Sequence, residues 1–240
     1  MLIPKIIHQI WSGIDGELPG LFRSYSETWK RDYPDWEYVQ WNHDSMSRFV
    51  QENYPEYWDI YRQFPYHIQR WDAIRYLILY KTGGMYVDFD YESLKNMDEL
   101  ITGKSCCFAL EPEYQYTFFR KKIMFNNALM FCTPGHPFMK IIIEAVFSEK
   151  MLKYPTLPKD TCVMNTTGPW VLIDLYEKLS VQEKNNVYLI PAKYVTPLDG
   201  YQARLYREGE NNLTIQNHLQ EAYAVHYFFG EWRNKEYKHR

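Results

Sequence analysis

Cysteine is scarce, and where it occurs it is spaced for neither metal nor disulfide chemistry. The 240 residues hold four, Cys106, Cys107, Cys132 and Cys162, and no CxxC pair. That pattern matches neither a zinc site nor the framework of a small secreted domain. A reducing, cytoplasmic compartment is the expectation. Long apolar runs are missing too. A membrane-spanning helix needs about 18 or more apolar residues, and the segment 141-IIIEAVF-147 is cut by Glu144. The opening MLIPKIIHQIW has one lysine before a short apolar run that His8 and Gln9 interrupt, unlike a signal peptide. Positive charge is not in excess either. The net charge is −3, whereas holding a nucleic-acid backbone requires a concentrated cationic surface, so no nucleic-acid partner is expected. The tail 231-EWRNKEYKHR-240 is more basic than the rest. It reads either as a solvated terminus or as a contact to an anionic membrane surface or charged substrate. Repeats, low-complexity linkers and clean domain boundaries are also absent, and residues 1–240 are read as one domain.

Aromatic residues, by contrast, are abundant: 18%, with 22 Tyr and 8 Trp. Such side chains build cores, and their polar handles also suit sugar and base sites. Strands are expected within 2–10, over 36–41, 85–89, 105–110, 127–132 and 187–191, and within 222–229. Helices are expected over 20–31, 45–52, 55–63, 136–150 and 169–179, and most strongly over 67–81, where Ile68, Trp71, Ile74, Ile78 and Leu79 recur at three- and four-residue spacing. The prolines at 155 and 158 suggest a surface loop over 150–165. A helix, a glycine stop at Gly83-Gly84 (the first suiting a left-handed cap) and an apolar strand form an α/β crossover.

The chemistry-bearing stretch is 83-GGMYVDFD-90. Asp88 and Asp90 fall at the carboxyl end of a strand, where open α/β sheets bind their ligands. Two carboxylates there read either as a solvated turn or as ligands for Mg²⁺ or Mn²⁺. Asp72 and Arg75, three apart on the preceding helix, read either as a surface ion pair or as groups reaching the same crevice. A phosphatase-type DxD continues differently from Tyr91-Glu92, and the twelve-residue spacing of an EF-hand is absent. His8 supports the loop after the first strand or is a buried structural histidine. Thr167-Gly168-Pro169 reads as a tight turn beside the site or simply as the entry to a helix with proline near its start.

The segment 71-WDAIRYLILYKTGGMYVDFD-90 resembles the hallmark of glycosyltransferase family 32, the DxD enzymes related to yeast initiating mannosyltransferases and to the catalytic domains of clostridial glucosylating toxins. The stretches 4-PKIIHQIWSG-13, 134-PGHPF-138, 165-NTTGP-169 and 226-HYFFGEW-232 resemble the family in the same order. The resemblance implies an α/β chain with a GT-A fold, a Rossmann-like and mostly parallel central sheet flanked by helices. It also implies a nucleoside diphosphate sugar donor, Mn²⁺ or Mg²⁺, and retention of anomeric configuration. By that resemblance Trp11 flanks the nucleotide base, Asp72 and Arg75 contact donor sugar and phosphate, and Tyr86 lines the donor site. Asp90 binds the metal, and Asp88 meets ribose, sugar or metal through water. Asn127 approaches the donor sugar. His226 is a metal ligand or phosphate donor, and Trp232 closes over the diphosphate within a closing segment, 222–240. Glu231 departs from the serine usual before that tryptophan.

The expected reaction moves a hexose from a UDP- or GDP-sugar to a hydroxyl of a glycan or lipid-linked oligosaccharide. A chain of this kind resembles bacterial members that extend capsule, exopolysaccharide or lipopolysaccharide at the inner face of the cytoplasmic membrane, with peripheral membrane contact. Two other classes stay open, a noncatalytic carbohydrate-binding protein and a nucleotide-sugar hydrolase. A pyrophosphorylase-like enzyme is disfavoured, because 11-WSGIDGELPG-20 has no lysine or arginine.

Overall fold

The computed structural model describes residues 2–14, 16–153 and 157–230. Its strands are β1 (Ile6–Ile10), β2 (Glu37–Trp41), β3 (Gly84–Val87), β4 (Tyr91–Ser93), β5 (Cys106–Leu110), β6 (Phe125–Cys132), β7 (Tyr188–Ile190) and β8 (Ala224–His226). Its α-helices are α1 (Gly20–Asp32), α2 (His43–Asn53), α3 (Trp58–Gln63), α4 (His67–Thr82), α5 (Asp98–Ile101), α6 (Glu113–Phe119), α7 (Pro137–Val146), α8 (Lys159–Thr166), α9 (Pro169–Lys178), α10 (Val181–Lys184), α11 (Ala192–Val195), α12 (Gly200–Arg207) and α13 (Leu213–Leu219).

Six strands form the main sheet in the order β2-β1-β3-β6-β5-β7. β1 pairs parallel with β2 and β3, β5 pairs parallel with β7, and β6 runs antiparallel to both β3 and β5. The chain leaves β1 toward β2 and then returns past it to β3, so the order reverses between β1 and β3. Ligands of open α/β sheets bind at that kind of switch point.

Alternation along the strands divides the core into two layers. Tyr86, Cys106, Phe108, Met130 and Cys132 face the α4, α7 and α9 side. Met85, Val87, Cys107, Ala109, Leu129 and Phe131 face the side of α1, with Trp29 and Tyr33. A smaller cluster of Phe22, Tyr25, Phe89, Leu198, Ala203, Ile215, Val225 and Tyr227 joins α1, α12 and α13 to the β4–β8 ribbon.

The glycine stop is steric in origin. A Cβ on Gly84 would sit 2.5 Å from the carbonyl oxygen of Ile6, and one on Gly83 within 2.8 Å of Pro4 and Pro134. Gly83 has φ 69° and ψ −160°, not the left-handed helical cap expected. Its dihedrals fall in a region essentially reserved for glycine. β3 also ends at Val87, two residues earlier than expected, which leaves Asp88 and Asp90 in the turn. The segment 150–165 is not a plain loop. It carries a 3₁₀ turn (Glu149–Lys153) and α8, which buries Cys162, Val163 and Thr166. β8 occupies only three of the residues in 222–229.

Candidate active site

The sheet's alternation brings the first half of the site together. Tyr86 and Asp88, two residues apart, point to the α4 side, where Arg75 lies. α4 is buried along most of its length. Gln69, Arg70 and every residue from Asp72 to Leu79 are buried, and Asp72 and Arg75 are 4% and 3% exposed. That excludes the surface ion pair. Arg75 Nη2 stands 3.1 Å from Asp72 Oδ1 and Nη1 3.4 Å from Asp88 Oδ1. Its guanidinium lies 4.4 Å from the centre of the Tyr86 ring, a cation–π arrangement. Nη1 also donates to the Asn127 carbonyl at 2.8 Å, and Nε to the Trp71 carbonyl at 3.2 Å. Tyr86 donates its hydroxyl to Asp88 Oδ1 at 2.5 Å.

A second shell of hydrogen bonds locks this group. Asp72 accepts from Asn127 Nδ2 at 3.0 Å and from the Thr167 hydroxyl at 3.1 Å. Asn127 Nδ2 also donates to the Tyr76 hydroxyl, which in turn donates to the Thr167 carbonyl at 2.6 Å. Asn127 therefore lines the cavity while its amide orients Asp72. Thr167 holds Asp72 as well as preceding the turn into α9.

Asp90 belongs to a different environment. Past it the chain leaves the main sheet as β4 and pairs antiparallel with β8, placing Tyr91 opposite His226. The two rings stack 4.4 Å apart. His226 Nε2 lies 3.4 Å from Asp90 Oδ1, and the Phe229 amide donates to Asp90 Oδ2 at 3.0 Å. Phe228, between them, has φ 51°, an uncommon conformation for a bulky residue. It keeps the chain wrapped around Asp90. Trp232 and Glu231 lie outside the described residues, as do 233–240.

These environments separate the two carboxylates of the motif. Burial raises the Asp88 pKa, against the pull of Arg75 and with the push of Asp90. Burial also pushes Asp72 up to about 6. Asp90 is held below its ordinary value despite burial, because His226 and the Phe229 amide favour its charged form. His226 is correspondingly raised: burial lowers it, but Asp90, Glu111 and Asp88 outweigh that. Neighbouring acids whose environments push them apart are a mark of functional sites.

Trp11, just past β1, borders the same cavity of about 650 Å³ as Asp72, Arg75, Tyr86, Asp88, Asp90, Asn127 and His226. Its indole Nε1 donates to the Gly16 carbonyl at 2.9 Å, and Phe22 and Phe89 meet its ring edge-on. His8 does not reach the cavity. Its Nε2 faces the Gly83 carbonyl at 3.1 Å and its Nδ1 accepts from Trp41 Nε1 at 3.2 Å, so it ties β1 and β2 to the glycine turn as a neutral ring.

Sequence reasoning missed Glu111, at the end of β5 and on the cavity wall, 7% exposed. Asn126 Nδ2 donates to it at 2.9 Å and Gln115 Nε2 at 3.1 Å. Its position one residue past an apolar strand was the available signal. The aromatics of α6 that also line the cavity, Tyr114, Phe118 and Phe119, were missed too. Asp90, Asp88 and His226 offer two carboxylates and an imidazole, a donor set suited to a hard divalent cation. With Glu111 beside His226, four acids, Asp72, Asp88, Asp90 and Glu111, converge here on one imidazole and one guanidinium. Among the described residues, the tight three-ligand cluster lies elsewhere, at Cys106, Cys132 and His136. Burial pushes the Cys106 thiol well up, and His136 Nδ1 accepts from the Phe138 amide at 3.3 Å, capping α7.

Residues 19–107 match the glycosyltransferase sugar-binding region containing a DXD motif. The chain belongs to this family. It is 30% identical over 197 residues to inositol phosphoceramide mannosyltransferase 1 of Schizosaccharomyces pombe, covering 79% of this chain and 56% of that protein. It is 24% identical to the initiation-specific α-1,6-mannosyltransferase of Candida albicans, over 96% of this chain and 72% of that one. The family resemblance read from the motifs thus holds. The chain spans about half the length of the inositol phosphoceramide mannosyltransferases it matches. The UDP-bound glycosyltransferase domain of the YGT toxin superposes with a TM-score of 0.53 at 10% identity, over 92% of this chain and 89% of that one. The likeness establishes the GT-A fold.

Proposed function

We propose that this chain is a metal-dependent, retaining glycosyltransferase. It moves a hexose from a nucleoside diphosphate sugar to a hydroxyl of a glycan or lipid-linked oligosaccharide. One observation carries the reading: buried Asp72, Arg75 and Tyr86 hold a partly exposed Asp88, and this network meets the Asp90–His226 pair in a single cavity at the sheet's switch point. A carbohydrate-binding protein has no use for a buried guanidinium braced by one buried carboxylate and by a second that faces the cavity.

Mn²⁺ or Mg²⁺, held by Asp90 with Asp88 and His226, would neutralise charge on the departing diphosphate. Arg75, fixed by Asp72, Asp88 and Tyr86, offers the second positive charge and needs no reorganisation to act. Asp88 and Asp72, held at the cavity floor, orient sugar hydroxyls. Trp11 offers a flat ring to the base. The glycosidic bond to the diphosphate breaks as the acceptor oxygen attacks from the same face, and the acceptor proton passes to a leaving-group oxygen. Glu111 is poorly suited to the nucleophile of a double displacement. Two amides hold it, and burial favours its protonated form.

The matched fungal enzymes are named mannosyltransferases and a fold neighbour holds UDP. Both UDP- and GDP-hexoses therefore belong in the first screen. The reading places the enzyme in the cytoplasm, at the inner face of the membrane, as one domain that closes its C-terminal segment over the donor. The test is Mn²⁺-dependent binding and turnover of each donor by the wild type and by D90N, with products analysed with and without acceptor. Release of free hexose in the presence of every acceptor would favour the hydrolase. Donor binding that ignores both metal and D90N would overturn the site.

A further inference from the structure

Between β5 and β6 the chain forms α6 and a short return, 113-EYQYTFFRKKI-123. This segment presents an apolar patch beside unpaired positive charge. Phe118 is 75% exposed, Tyr114 50% and Phe119 40%. The patch is anchored, since Phe118 meets Phe119 edge-on at 4.9 Å and Phe119 meets Trp170 at 5.8 Å. Arg120, in the left-handed conformation that ends α6, and Lys122 are both exposed. Lys121 pairs with Asp174 at 2.9 Å. Glu113, about two turns before Arg120, is the acid on α6 itself. Among the described residues, no carboxylate lies within ion-pair distance of Arg120 or Lys122.

Exposed aromatics are costly in water unless something covers them. Aromatic rings at headgroup depth with cations beside them are the signature of a protein resting on an anionic lipid surface. A neutral sugar or an apolar peptide would account for the rings but not for the adjacent cations. Tyr114, Phe118 and Phe119 also form one wall of the cavity, so a surface they rest on would lie at the cavity's mouth.

We propose that the α6 tip, through Phe118, Arg120 and Lys122, docks this protein on an anionic membrane surface and presents the cavity to a lipid-borne acceptor. The acceptor half of this inference rests on the transferase reading; the docking half does not. Membrane attachment here needs no spanning segment, and among the described residues no helix is long and apolar enough to cross a bilayer.

The test is co-sedimentation of the full chain with vesicles of phosphatidylcholine alone and of phosphatidylcholine mixed with phosphatidylserine. We expect binding to the mixed vesicles only, weakening as salt rises. K122E should weaken it about fivefold or more, since each basic residue near such a surface is worth about that factor. F118S should weaken it further, while Leu213→Ser, an equally exposed leucine on α13, leaves it unchanged. Melting curves of each variant check that the fold is intact. Equal binding to neutral vesicles, or wild-type binding by both K122E and F118S, overturns the proposal; the latter result would assign any binding to another surface. Mn²⁺-dependent sugar transfer to a soluble acceptor, read without vesicles, scores the transferase reading separately.

Discussion

The two ends of the cavity are built on opposite physical plans. At the donor end, Arg75 is sealed in protein and meets two carboxylates, two backbone carbonyls and an aromatic face. At the mouth, α6 exposes two phenylalanines and a tyrosine, and the turn after it exposes two cations. Buried charges survive only when each is paired and hydrogen-bonded, because the alternative is an uncompensated ion in low dielectric. A site that stabilises a departing diphosphate gains from that rigidity. A surface that meets a partner needs the reverse, since its apolar groups are useful only while uncovered. Stability and function should therefore be tightly coupled at one end and nearly independent at the other.

That contrast breaks first, if it breaks, at Arg75. Arg75→Met removes the cation and leaves Asp72 and Asp88 facing one another, so it should cost about 3–5 kcal/mol and abolish turnover. Denaturant melts and donor kinetics read both, and a variant that kept wild-type stability would sink the idea of a braced network. Asp90→Asn probes the same end differently. The Asp90 side chain is 14% exposed against 4% for Arg75, and it is held by one imidazole and one amide. Turnover should fall at least about a hundredfold, a typical loss for one electrostatic element of a site, while stability changes far less than for Arg75.

His8 sharpens the comparison through pH. Burial lowers its pKa from 6.5 to about 4, so the unfolded chain binds more protons than the folded one between those values. Stability is complete above about pH 6.5 and is lost as pH falls toward about 4, by about 3 kcal/mol at most. Asp72, raised to about 6, acts in the opposite direction over part of that window. The histidine's share is therefore the wild-type loss minus that of His8→Asn, measured in parallel melts. A smaller change is expected at Thr167→Val, which removes one hydrogen bond to Asp72 and should cost about 1–3 kcal/mol. Smallest of all is F118S in the absence of membranes, within about 0.5 kcal/mol of wild type. A large loss there would mean that the ring is structural and that the two ends are not built differently after all.

Much of the scaffold was legible because local chemistry forces it. Ile-rich β1, the periodic α4 and the apolar β6 each carry their pattern in a dozen residues or fewer. The glycine pair was legible as a stop, though its geometry was not, because the clash with Ile6 and Pro4 comes from a strand some 80 residues away. The region 150–165 misled because its prolines mark helix starts as readily as loops, and Pro158 precedes α8. The short β4 was obscure, since it is three residues long and defined only by its partner, whereas β8 fell within the strand expected over 222–229. Among site residues, Asp72, Arg75, Asp88 and Asp90 stood out by spacing and by motif. Asn127 was read as a sugar contact, and only its bonds to Asp72 and Tyr76 show what its amide does. Glu111 passed unnoticed because a lone glutamate after a strand has no pattern.

By itself, the sequence determined the order of the elements, the strand end that carries DxD, and the family. Those features depend on neighbours close in the chain, where propensity, alternation and motif spacing act. Only the tertiary structure decided that Asp72 and Arg75 are buried rather than solvated. It also decided that Asp88 answers to Arg75 and Tyr86 while Asp90 answers to His226, more than 130 residues further on. Charge environment depends on burial and on partners brought from afar, so two aspartates of one short motif acquire opposite pKa shifts through folding alone.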